Sequence, residues 1–380
     1  MEHLTRYRRT WRFFRRLLGP WLKRKFNYAP DLCDAKGPLL VLANHNTDWD
    51  PLLLALAFPD YLRFVASEHI FRAGAAAKLL QYFFDPIARL KGTTAGDTAM
   101  SVMRTLRQGV NAAIFAEGNR SFNGLTGEIL PATGKLARAS GATLVTYRFT
   151  GGYFTSPRWA GSGVRRGRMT GRVVNVYPPE RLKAMTVDEV NEHIRADLAE
   201  DAYATQRREM IPFVSGNPAE GLETLLCLCP RCGAIGTLRS EGDTLSCGCG
   251  FSARYLPTGF LTGEGLPADN LTEWDAWQTL RLASLAPGPD GAWFSDTDMV
   301  LKEILPGHRD KELGSGAMSL YPDRLECCGQ VFPLSEISGF SLHGAQTVDM
   351  SAGGRSYEIS SPRRRCTRKY MQMLAHLQKR

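Results

Sequence analysis

The sequence lacks any long apolar run. Among its 380 residues, no stretch approaches the ~20 consecutive apolar residues that a helix needs to cross a bilayer. The basic N-terminus also lacks the apolar core of about 7–15 residues and the small-residue cleavage site that mark a secretory signal. We therefore expect neither a membrane-spanning helix nor a cleaved signal. The apolar and charged fractions are those of an ordinary globular protein, and the length suits two or three domains.

Cysteine is scarce outside one short segment. Five of the nine cysteines lie between Cys227 and Cys249, which favours metal ligands in a reducing compartment over a disulfide framework. Within it, Cys229-x2-Cys232 and Cys247-x-Cys249 resemble the paired cysteine turns of a zinc ribbon. The second pair is one residue tighter than the usual form, and Cys227 is a spare candidate ligand. The spacing predicts structural zinc on Cys229, Cys232, Cys247 and Cys249; the alternative is a reduced cluster without metal.

Acidic residues are too few to balance the basic ones. The formal net charge of +9 predicts an anionic partner, which is nucleic acid, a membrane surface or a phosphorylated substrate. Much of the excess lies in residues 1–26, where arginines occupy one side of a predicted helix and apolar residues the other. The basic side carries Arg6, Arg8, Arg9, Arg12, Arg15 and Arg16, and the apolar side carries Leu4, Tyr7, Trp11, Phe14, Leu18 and Leu22, with Phe13 as the exception.

This basic amphipathic helix fits the interface of an anionic membrane. Each basic residue near such a surface adds about 1 kcal/mol of binding free energy. The alternative is a helix whose apolar side packs on the protein's own core. The two expectations are compatible if one part of the apolar stripe packs on the core and the rest inserts into the membrane. We expect a peripheral or monotopic protein on the cytoplasmic face of a membrane.

Two polar turns follow two apolar runs of strand length. The run Leu-Leu-Val-Leu-Ala leads into a turn with His45, Asp48 and Asp50, and the run Ala-Ala-Ile-Phe-Ala leads into a turn that begins at Glu117. The end of a strand in an α/β enzyme is a usual place for a base and the acid that orients it. At a single strand end, a buried histidine that has only a structural role is more common than a catalytic one. The two turns together predict one active site.

These two blocks resemble those of a known family. Asn44, His45 and Asp50 form the pattern Asn-His-x4-Asp, and the second block reads Phe-Ala-Glu-Gly-Asn-Arg-Ser. Both blocks resemble the glycerolipid acyltransferases of the lysophosphatidate acyltransferase type. The resemblance covers roughly the first 210 residues. This chain departs from the family at Ala116 and Asn119, where the family usually has Pro and Thr.

The resemblance implies a fold and a reaction. The fold is a layered, mixed α/β sheet flanked by helices. The reaction moves a fatty acyl group from acyl-CoA or an acyl carrier protein to the hydroxyl of a lysophospholipid, with 1-acyl-glycerol-3-phosphate as the expected acceptor in phospholipid biosynthesis. His45 would be the base, because imidazole suits proton transfer near neutral pH. Spacing alone leaves Asp48 and Asp50 open as its orienting carboxylate, and the family pattern assigns Asp50.

The resemblance also implies how the acceptor is held. Glu117 would hold a glycerol hydroxyl, and Gly118 would permit close approach of the backbone. Arg120 would grip a phosphate with two parallel hydrogen bonds. Arg89, which lies between the two blocks, would be a second phosphate ligand. For both arginines the alternative is a surface ion pair.

The sequence patterns and the resemblance together imply four segments. A membrane-interface helix covers residues 1–26, the acyltransferase domain 27–215, a zinc-ribbon-like segment 225–256 and a C-terminal α+β module 270–380. Short alternating runs and a final helix make the last segment similar to a pleckstrin-homology-like module. Residues 187–210 predict one long charged helix that closes the acyltransferase domain.

Two other functions fit parts of the sequence. A zinc ribbon with a basic charge suits a nucleic-acid-binding protein. The ribbon, however, carries Arg231, Arg239 and Arg254 against Glu241 and Asp243, so we expect no nucleic-acid partner. The same fold without catalysis would be an inactive membrane adaptor, and the intact His and Asp pattern argues against that function.

Overall fold

The computed structural model describes residues 2–67, 78, 81–89, 95–161, 163–305 and 309–377. The chain divides into two compact units. The first is Met1–Pro157 with Val164–Val214, and the second is Arg158–Gly163 with Ser215–Arg380.

The first unit is a seven-stranded sheet with helices on both faces. Its strands are β1 Tyr28–Pro30, β2 Leu39–Ala43, β3 Leu62–Ser67, β4 Ile87–Arg89, β5 Asn111–Phe115, β6 Thr143–Thr150 and β7 Met169–Tyr177. Its described helices are α1 Glu2–Leu17, α2 Gly19–Phe26, α3 Asp50–Ala57, α4 Ala95–Arg107, α5 Ala132–Ala139, α6 Gly152–Thr155, α7 Pro179–Ala184, α8 Val187–Leu198 and α9 Ala202–Glu209.

Strand β2 lies in the middle of this sheet. The strand order is β1-β7-β6-β2-β5-β3-β4, and β2 pairs in parallel with both β6 and β5. Strands β6 and β7 are antiparallel, whereas the other neighbours are parallel. The predicted mixed α/β sheet flanked by helices is confirmed. Because parallel strands end at the same edge of a sheet, the segments after β2 and β5 meet there.

Successive side chains of β2 enter two different cores, as the pleat of a strand requires. Val41 and Ala43 pack with residues of α1, α2 and α3. Leu40 and Leu42 pack with residues of α4, α5 and α8. Burial on both faces explains why this run is apolar at every position instead of alternating.

The N-terminal apolar stripe packs on the core of the first unit. Trp11 and Phe14 of α1 and Leu22 of α2 are buried. The indole Nε1 of Trp11 donates a hydrogen bond to the carbonyl of Phe58 at 3.1 Å. The packed residues of the stripe thus follow the alternative expectation, in which the apolar side covers the protein's own core. Phe13, the exception in the sequence pattern, is exposed.

The prediction of one helix over residues 187–210 is wrong. Helix α8 ends and α9 begins on either side of residues 199–201. In this break the N–H of Glu200 donates to the hydroxyl of Thr126 at 2.8 Å, and the carbonyl of Glu200 accepts from the N–H of Thr126 at 3.0 Å. Tertiary hydrogen bonds therefore override helix propensity at this point.

The second unit contains two antiparallel sheets. The strands of the small sheet are β8 Leu238–Glu241, β9 Thr244–Cys247, β10 Ser252–Tyr255 and β11 Leu261–Thr262. The strands of the large sheet are β12 Phe294–Leu305, β13 Arg309–Leu320, β14 Arg324–Cys327, β15 Gln330–Pro333, β16 Ile337–His343, β17 Thr347–Ala352 and β18 Arg355–Ser360. Their orders are β11-β10-β9-β8 and β15-β14-β13-β12-β18-β17-β16.

The described helices of the second unit are few. They are α10 Leu271–Ala283 and α11 Arg368–Leu377, with 3₁₀ turns at Leu222–Thr224 and Leu334–Glu336. Across both units, no helix among the described residues has the length and apolar character needed to span a membrane.

Candidate active site

Two loops meet at the carboxyl edge of the first unit's sheet. The loop after β2 carries His45, and the loop after β5 carries Glu117 and Ser121. The N–H of His45 donates to Oε1 of Glu117 at 2.7 Å. The N–H of Ser121 donates to the carbonyl of His45 at 2.9 Å. Both backbone groups of His45 are thus bonded to the second loop, and the two segments joined by sequence analysis lie together.

His45 and Asp50 form a close pair. Nδ1 of His45 lies 2.9 Å from Oδ2 of Asp50. The Asp50 side chain is fully buried, whereas 20% of the His45 side chain is exposed. When Nδ1–H is donated to the carboxylate, the neutral ring carries its lone pair on Nε2. This is the geometry of an oriented general base.

The turn itself holds the Asp50 carboxylate. Oδ2 accepts the backbone N–H of Asn46 at 2.6 Å and that of Thr47 at 2.9 Å, and Oδ1 accepts the hydroxyl of Thr47 at 2.6 Å. These bonds fix the carboxylate in the direction of the imidazole. The exposed Asp48 pairs instead with Arg120.

The imidazole lies on a row of aromatic rings. The His45 ring stacks on Phe115 with centroids 4.4 Å apart and planes 23° apart. The ring centroids of Phe115 and Phe64 are 6.2 Å apart, and the two ring planes are nearly parallel. The ring centroids of Phe64 and Trp11 are also 6.2 Å apart. This row restricts the orientation of the imidazole and places an apolar surface beside it.

Glu117 and Glu200 lie near the Asp50 carboxylate. Burial raises the pKa of Glu117 to about 8 and the pKa of Glu200 to about 7, and the negative charge of Asp50 adds to both increases. Hydrogen bonds from neighbouring groups oppose both shifts. The site therefore retains a proton near neutral pH instead of three full negative charges.

Arg120 braces the turn that carries His45. Its Nε donates to the carbonyl of Asn46 at 3.0 Å, and one terminal nitrogen donates to Asp48 at 2.6 Å. The other terminal nitrogen donates to the carbonyl of Ser156. The side chain of Arg120 is 11% exposed, while that of Asp48 is 78% exposed. A fixed guanidinium thus lies beside the turn with an exposed carboxylate on one edge.

Two further residues of the predicted site are Gly118, in the loop after β5, and Arg89, at the end of β4. Gly118 follows Glu117 with a φ of 69°, a conformation that favours glycine. Arg89 is the last residue of β4, and its side chain lies outside the described part of the chain. The role of Arg89 as a second phosphate ligand stays a prediction.

The region that carries both loops of the site matches a known protein family. Residues 24–150, about a third of the sequence, match the family described as Acyltransferase. The similarity to that family therefore lies within the first unit. The matched residues include both loops and the strands that precede them.

A solved structure is similar to this chain over part of its length. It is the 1-acyl-sn-glycerophosphate (LPA) acyltransferase PlsC from Thermotoga maritima, with a TM-score of 0.39 and 18% sequence identity. The similarity covers 50% of this chain and 77% of that chain. No curated protein matches this chain.

The sequence pattern did not indicate Asn46 or Glu200, whose side chains hold the turn that carries His45. The side-chain amide of Asn46 donates to Oε2 of Glu200 at 2.7 Å, and that of Asn44 donates to the same oxygen at 3.0 Å. Asn44 also pairs with both backbone groups of Phe149 in β6. The asparagines on either side of His45 were a visible signal. No local pattern pointed to Glu200, which lies 154 positions after Asn46.

Replacing Asp50 by asparagine should impair both the activity of the site and the folding of the first unit. The asparagine side chain replaces one acceptor oxygen by an NH₂ group. This group cannot accept the hydrogen bonds that the Asp50 carboxylate receives from the turn. We expect turnover to fall about 10²–10⁴-fold because the imidazole loses its orientation. We expect the free energy of unfolding to fall by about 1–3 kcal/mol because buried donors lose an acceptor. Steady-state kinetics and urea denaturation measure the two effects.

Asp48→Asn is the matched control for that variant. Asp48 is a carboxylate of the same turn, but it is exposed and makes a surface ion pair worth about 0–1 kcal/mol. Its turnover should stay within about fivefold of wild type, which is the rate equivalent of that energy. Equal losses in Asp48→Asn and Asp50→Asn would contradict the assignment of Asp50.

Four cysteines of the second unit form a separate candidate metal centre. All four Sγ atoms lie within 4.8 Å of one another in a cluster of Cys229, Cys232, Cys247 and Cys249. The Sγ atoms of Cys229 and Cys249 are 3.7 Å apart, and those of Cys232 and Cys247 are 3.9 Å apart. Tetrahedral zinc with Zn–S bonds of about 2.3 Å requires S···S distances of about 3.8 Å. The cluster fits that ion.

Cys227, the spare candidate ligand, lies outside the four-cysteine cluster. Its backbone N–H donates to Oε1 of Gln278 at 3.0 Å, and its Sγ lies 3.6 Å from the same oxygen. Its thiol is buried. Cys227 therefore belongs to the packing around α10, and the tight second pair supplies its own two ligands to the cluster.

Proposed function

We propose that this chain is an O-acyltransferase of phospholipid biosynthesis. It moves a fatty acyl group from acyl-CoA or acyl-ACP to the hydroxyl of a lysophospholipid, most simply 1-acyl-glycerol-3-phosphate. The observation that supports this most is the 2.9 Å contact between His45 Nδ1 and Asp50 Oδ2, inside the region that matches the Acyltransferase family. The choice of acceptor rests on the resemblance of the two sequence blocks to lysophosphatidate acyltransferases.

In the proposed reaction His45 is the general base. Its Nε2 takes the proton of the acceptor hydroxyl as the hydroxyl oxygen attacks the thioester carbonyl. The new C–O bond forms, the C–S bond breaks, and the imidazolium gives its proton to the leaving thiolate. Asp50 stabilises the imidazolium between these two steps. A thioester is already activated, so the reaction needs no covalent acyl-enzyme. The apolar rings beside His45 suit the fatty acyl chain.

Arg120 is the proposed ligand of the acceptor phosphate. Its ion pair with Asp48 places a carboxylate on one edge of the guanidinium. A phosphate dianion carries more charge and can bind the same edge with two parallel hydrogen bonds. Because the Asp48 side chain is mostly exposed, it can move into solvent when phosphate binds. Glu117 and Gly118 precede Arg120 in the same loop, and the glycerol hydroxyls would lie beside them.

A panel of acceptors tests this function. Purified protein is given an acyl thioester with lysophosphatidate, with lysophospholipids whose phosphate is esterified, or with monoacylglycerol. We expect acceptor-dependent release of the free thiol, fastest with lysophosphatidate because Arg120 recognises a phosphate monoester. Thiol release that is independent of every acceptor would mean thioester hydrolysis and would contradict the proposal.

We further propose that α1 and α2 hold the acyltransferase domain on an anionic membrane surface. Phe13 and Leu17 of α1 are 65% and 60% exposed, and Trp21 of α2 is 49% exposed. The spacing of four residues between Phe13 and Leu17 is typical of one side of a helix. Arg12 and Arg16 beside them are also exposed. Exposed apolar side chains among basic residues favour an interface with anionic lipid head groups.

Binding to lipid vesicles checks this surface. The variant Phe13→Ala/Leu17→Ala/Trp21→Ala should bind anionic vesicles at least about tenfold more weakly than wild type, since each inserted side chain contributes up to about 1.5–3 kcal/mol. Leu280→Ala, which removes an exposed leucine from α10 of the second unit, should bind as wild type does. Equal vesicle affinity of wild type and the triple variant would exclude this surface.

We also propose that the four-cysteine cluster binds one structural zinc ion. The S···S distances support this assignment, as does the absence of a fifth cysteine ligand among the described residues around the cluster. The metal would hold the turns that flank β8 and β9 in place.

A further inference from the structure

Glu200 lies beyond residue 150, where the match to the acyltransferase family ends. Its side chain is buried, with 9% of the residue exposed. Its Oε2 accepts hydrogen bonds from the side-chain amides of Asn44 and Asn46 at 3.0 and 2.7 Å, and its Oε1 accepts the backbone N–H of Gly151 at 3.2 Å. All three groups donate, and the two acceptor oxygens of the Glu200 side chain satisfy them all.

The two amides belong to the residues on either side of His45. Asn46 also donates its backbone N–H to Asp50 at 2.6 Å and accepts at its carbonyl from Nε of Arg120 at 3.0 Å. Asn46 therefore connects the base, the acid that orients it and the proposed phosphate ligand. Those contacts use the backbone of Asn46, and Glu200 binds its side-chain amide.

The position of Glu200 is itself fixed by the loop after β5. The backbone of Glu200 makes three hydrogen bonds with Thr126, and the N–H of Ala202 donates to the carbonyl of Gly124 at 2.9 Å. The same loop donates the N–H of Gly127 to Oε2 of Glu117. Glu200 thus reaches the turn from a backbone held in one place, as a supporting residue must be.

We propose that Glu200 is a positioning residue of the acyl-transfer reaction. Its carboxylate fixes both neighbours of His45 and thereby keeps the imidazole at Asp50. The inference rests on the proposed function, since it assigns Glu200 a part in that reaction. Glu200 needs no contact with either substrate for this role.

A double-mutant cycle with Glu200→Ala and Asn46→Ala tests the inference. Glu200→Ala should lower kcat about 10–100-fold, because a small displacement of a catalytic group costs that much, while the KM for each substrate stays within about threefold. If Glu200 acts through Asn46, the double variant should be no slower than Asn46→Ala by more than about threefold. Losses that multiply in this cycle and also in the matching cycle with Asn44→Ala would overturn the inference.

The conservative variant Glu200→Gln keeps the test informative if the alanine variants fold poorly. Its amide oxygen still accepts from Asn46, but its NH₂ group faces another donor. We expect a loss of kcat smaller than that of Glu200→Ala and an unchanged fold by circular dichroism. Wild-type kcat in Glu200→Gln together with wild-type kcat in Glu200→Ala would also overturn the inference.

An NMR measurement separates this inference from the proposed function. The Nδ1 proton of His45, bonded to Asp50, should give a low-field signal that is shifted or lost in Glu200→Ala. Asp197→Asn is the control, because Asp197 is a buried carboxylate of α8 that bonds Tyr177 and Asn175 away from the turn. A changed signal in a protein that transfers no acyl group would contradict the function and support the positioning role. An unchanged signal and unchanged kcat in an active protein would contradict the positioning role alone.

Discussion

His45→Ala is expected to lower the turnover of acyl transfer about 10²–10⁴-fold, the usual contribution of a positioned general base. The loss corresponds to about 3–5 kcal/mol of transition-state stabilisation. Without the imidazole, the acceptor hydroxyl keeps its proton as it attacks, and no group returns a proton to the leaving thiolate. The backbone N–H and carbonyl of His45, which bond the second loop, are retained in alanine, so the fold should persist. Steady-state kinetics with saturating substrates measure the effect.

His193→Ala is the matched control for this experiment. His193 is a histidine of the same unit, lies exposed on α8 and contacts Tyr177. Its removal should leave kcat within about twofold, because it has no place in the proton transfer. A well-folded His45→Ala protein that retains wild-type turnover would remove His45 from the mechanism.

Removal of the proposed zinc ion from the four-cysteine cluster should have the largest effect on stability. A structural zinc ion supplies on the order of 10 kcal/mol of folding free energy, and the small sheet β8–β11 contains only short strands. We expect purified protein to contain about one zinc per chain, as four thiolates bind one ion. Chelation should then abolish protection of the β8 and β9 amides from hydrogen exchange.

Cys249→Ser and Cys328→Ser form a matched pair for the metal experiment. Cys249 belongs to the cluster, whereas Cys328 lies outside it and bonds the carbonyl of Met299 at 3.3 Å, a bond that serine can keep. Zinc content should fall in the first variant and stay unchanged in the second. Full amide protection of β8 and β9 in metal-free protein would show that zinc does not hold this region.

The meeting of the two loops could be predicted from the sequence because it follows from short-range patterns. Apolar runs of strand length mark β2 and β5, and the turn residues after them mark where each strand ends. Parallel neighbours then bring His45 and Glu117 to one edge of the sheet. Spacing alone left Asp48 and Asp50 open, because the conformation of a short polar turn is set by hydrogen bonds that a sequence pattern does not encode.

Glu200 could not be predicted, because its environment is made by distant parts of the chain. Residues 187–210 have a helical pattern, yet the backbone of Glu200 bonds to Thr126 and leaves the helix. Local propensity amounts to less than about 1 kcal/mol per residue for ordinary residues, so tertiary bonds override it. The residue that leaves the helix is the one whose carboxylate reaches Asn44 and Asn46.

The N-terminal helix shows a limit of periodicity. The pattern identified one apolar stripe but not what covers it, since burial in a protein core and insertion into lipid require the same residues. In the structure Trp11 and Phe14 of that stripe pack inward. The exposed side chains of the proposed membrane surface include Phe13, which did not belong to the apolar stripe of the pattern.

Identification of the lipid product tests the central claim most directly. Purified wild-type protein is incubated with 1-acyl-glycerol-3-phosphate and an isotopically labelled acyl-CoA or acyl-ACP, and the lipids are analysed by mass spectrometry. The proposed function predicts a diacylated glycerol phosphate that carries the label in its new ester and is formed by wild type but not by His45→Ala. Labelled free fatty acid alone, or equal product from both proteins, would contradict it.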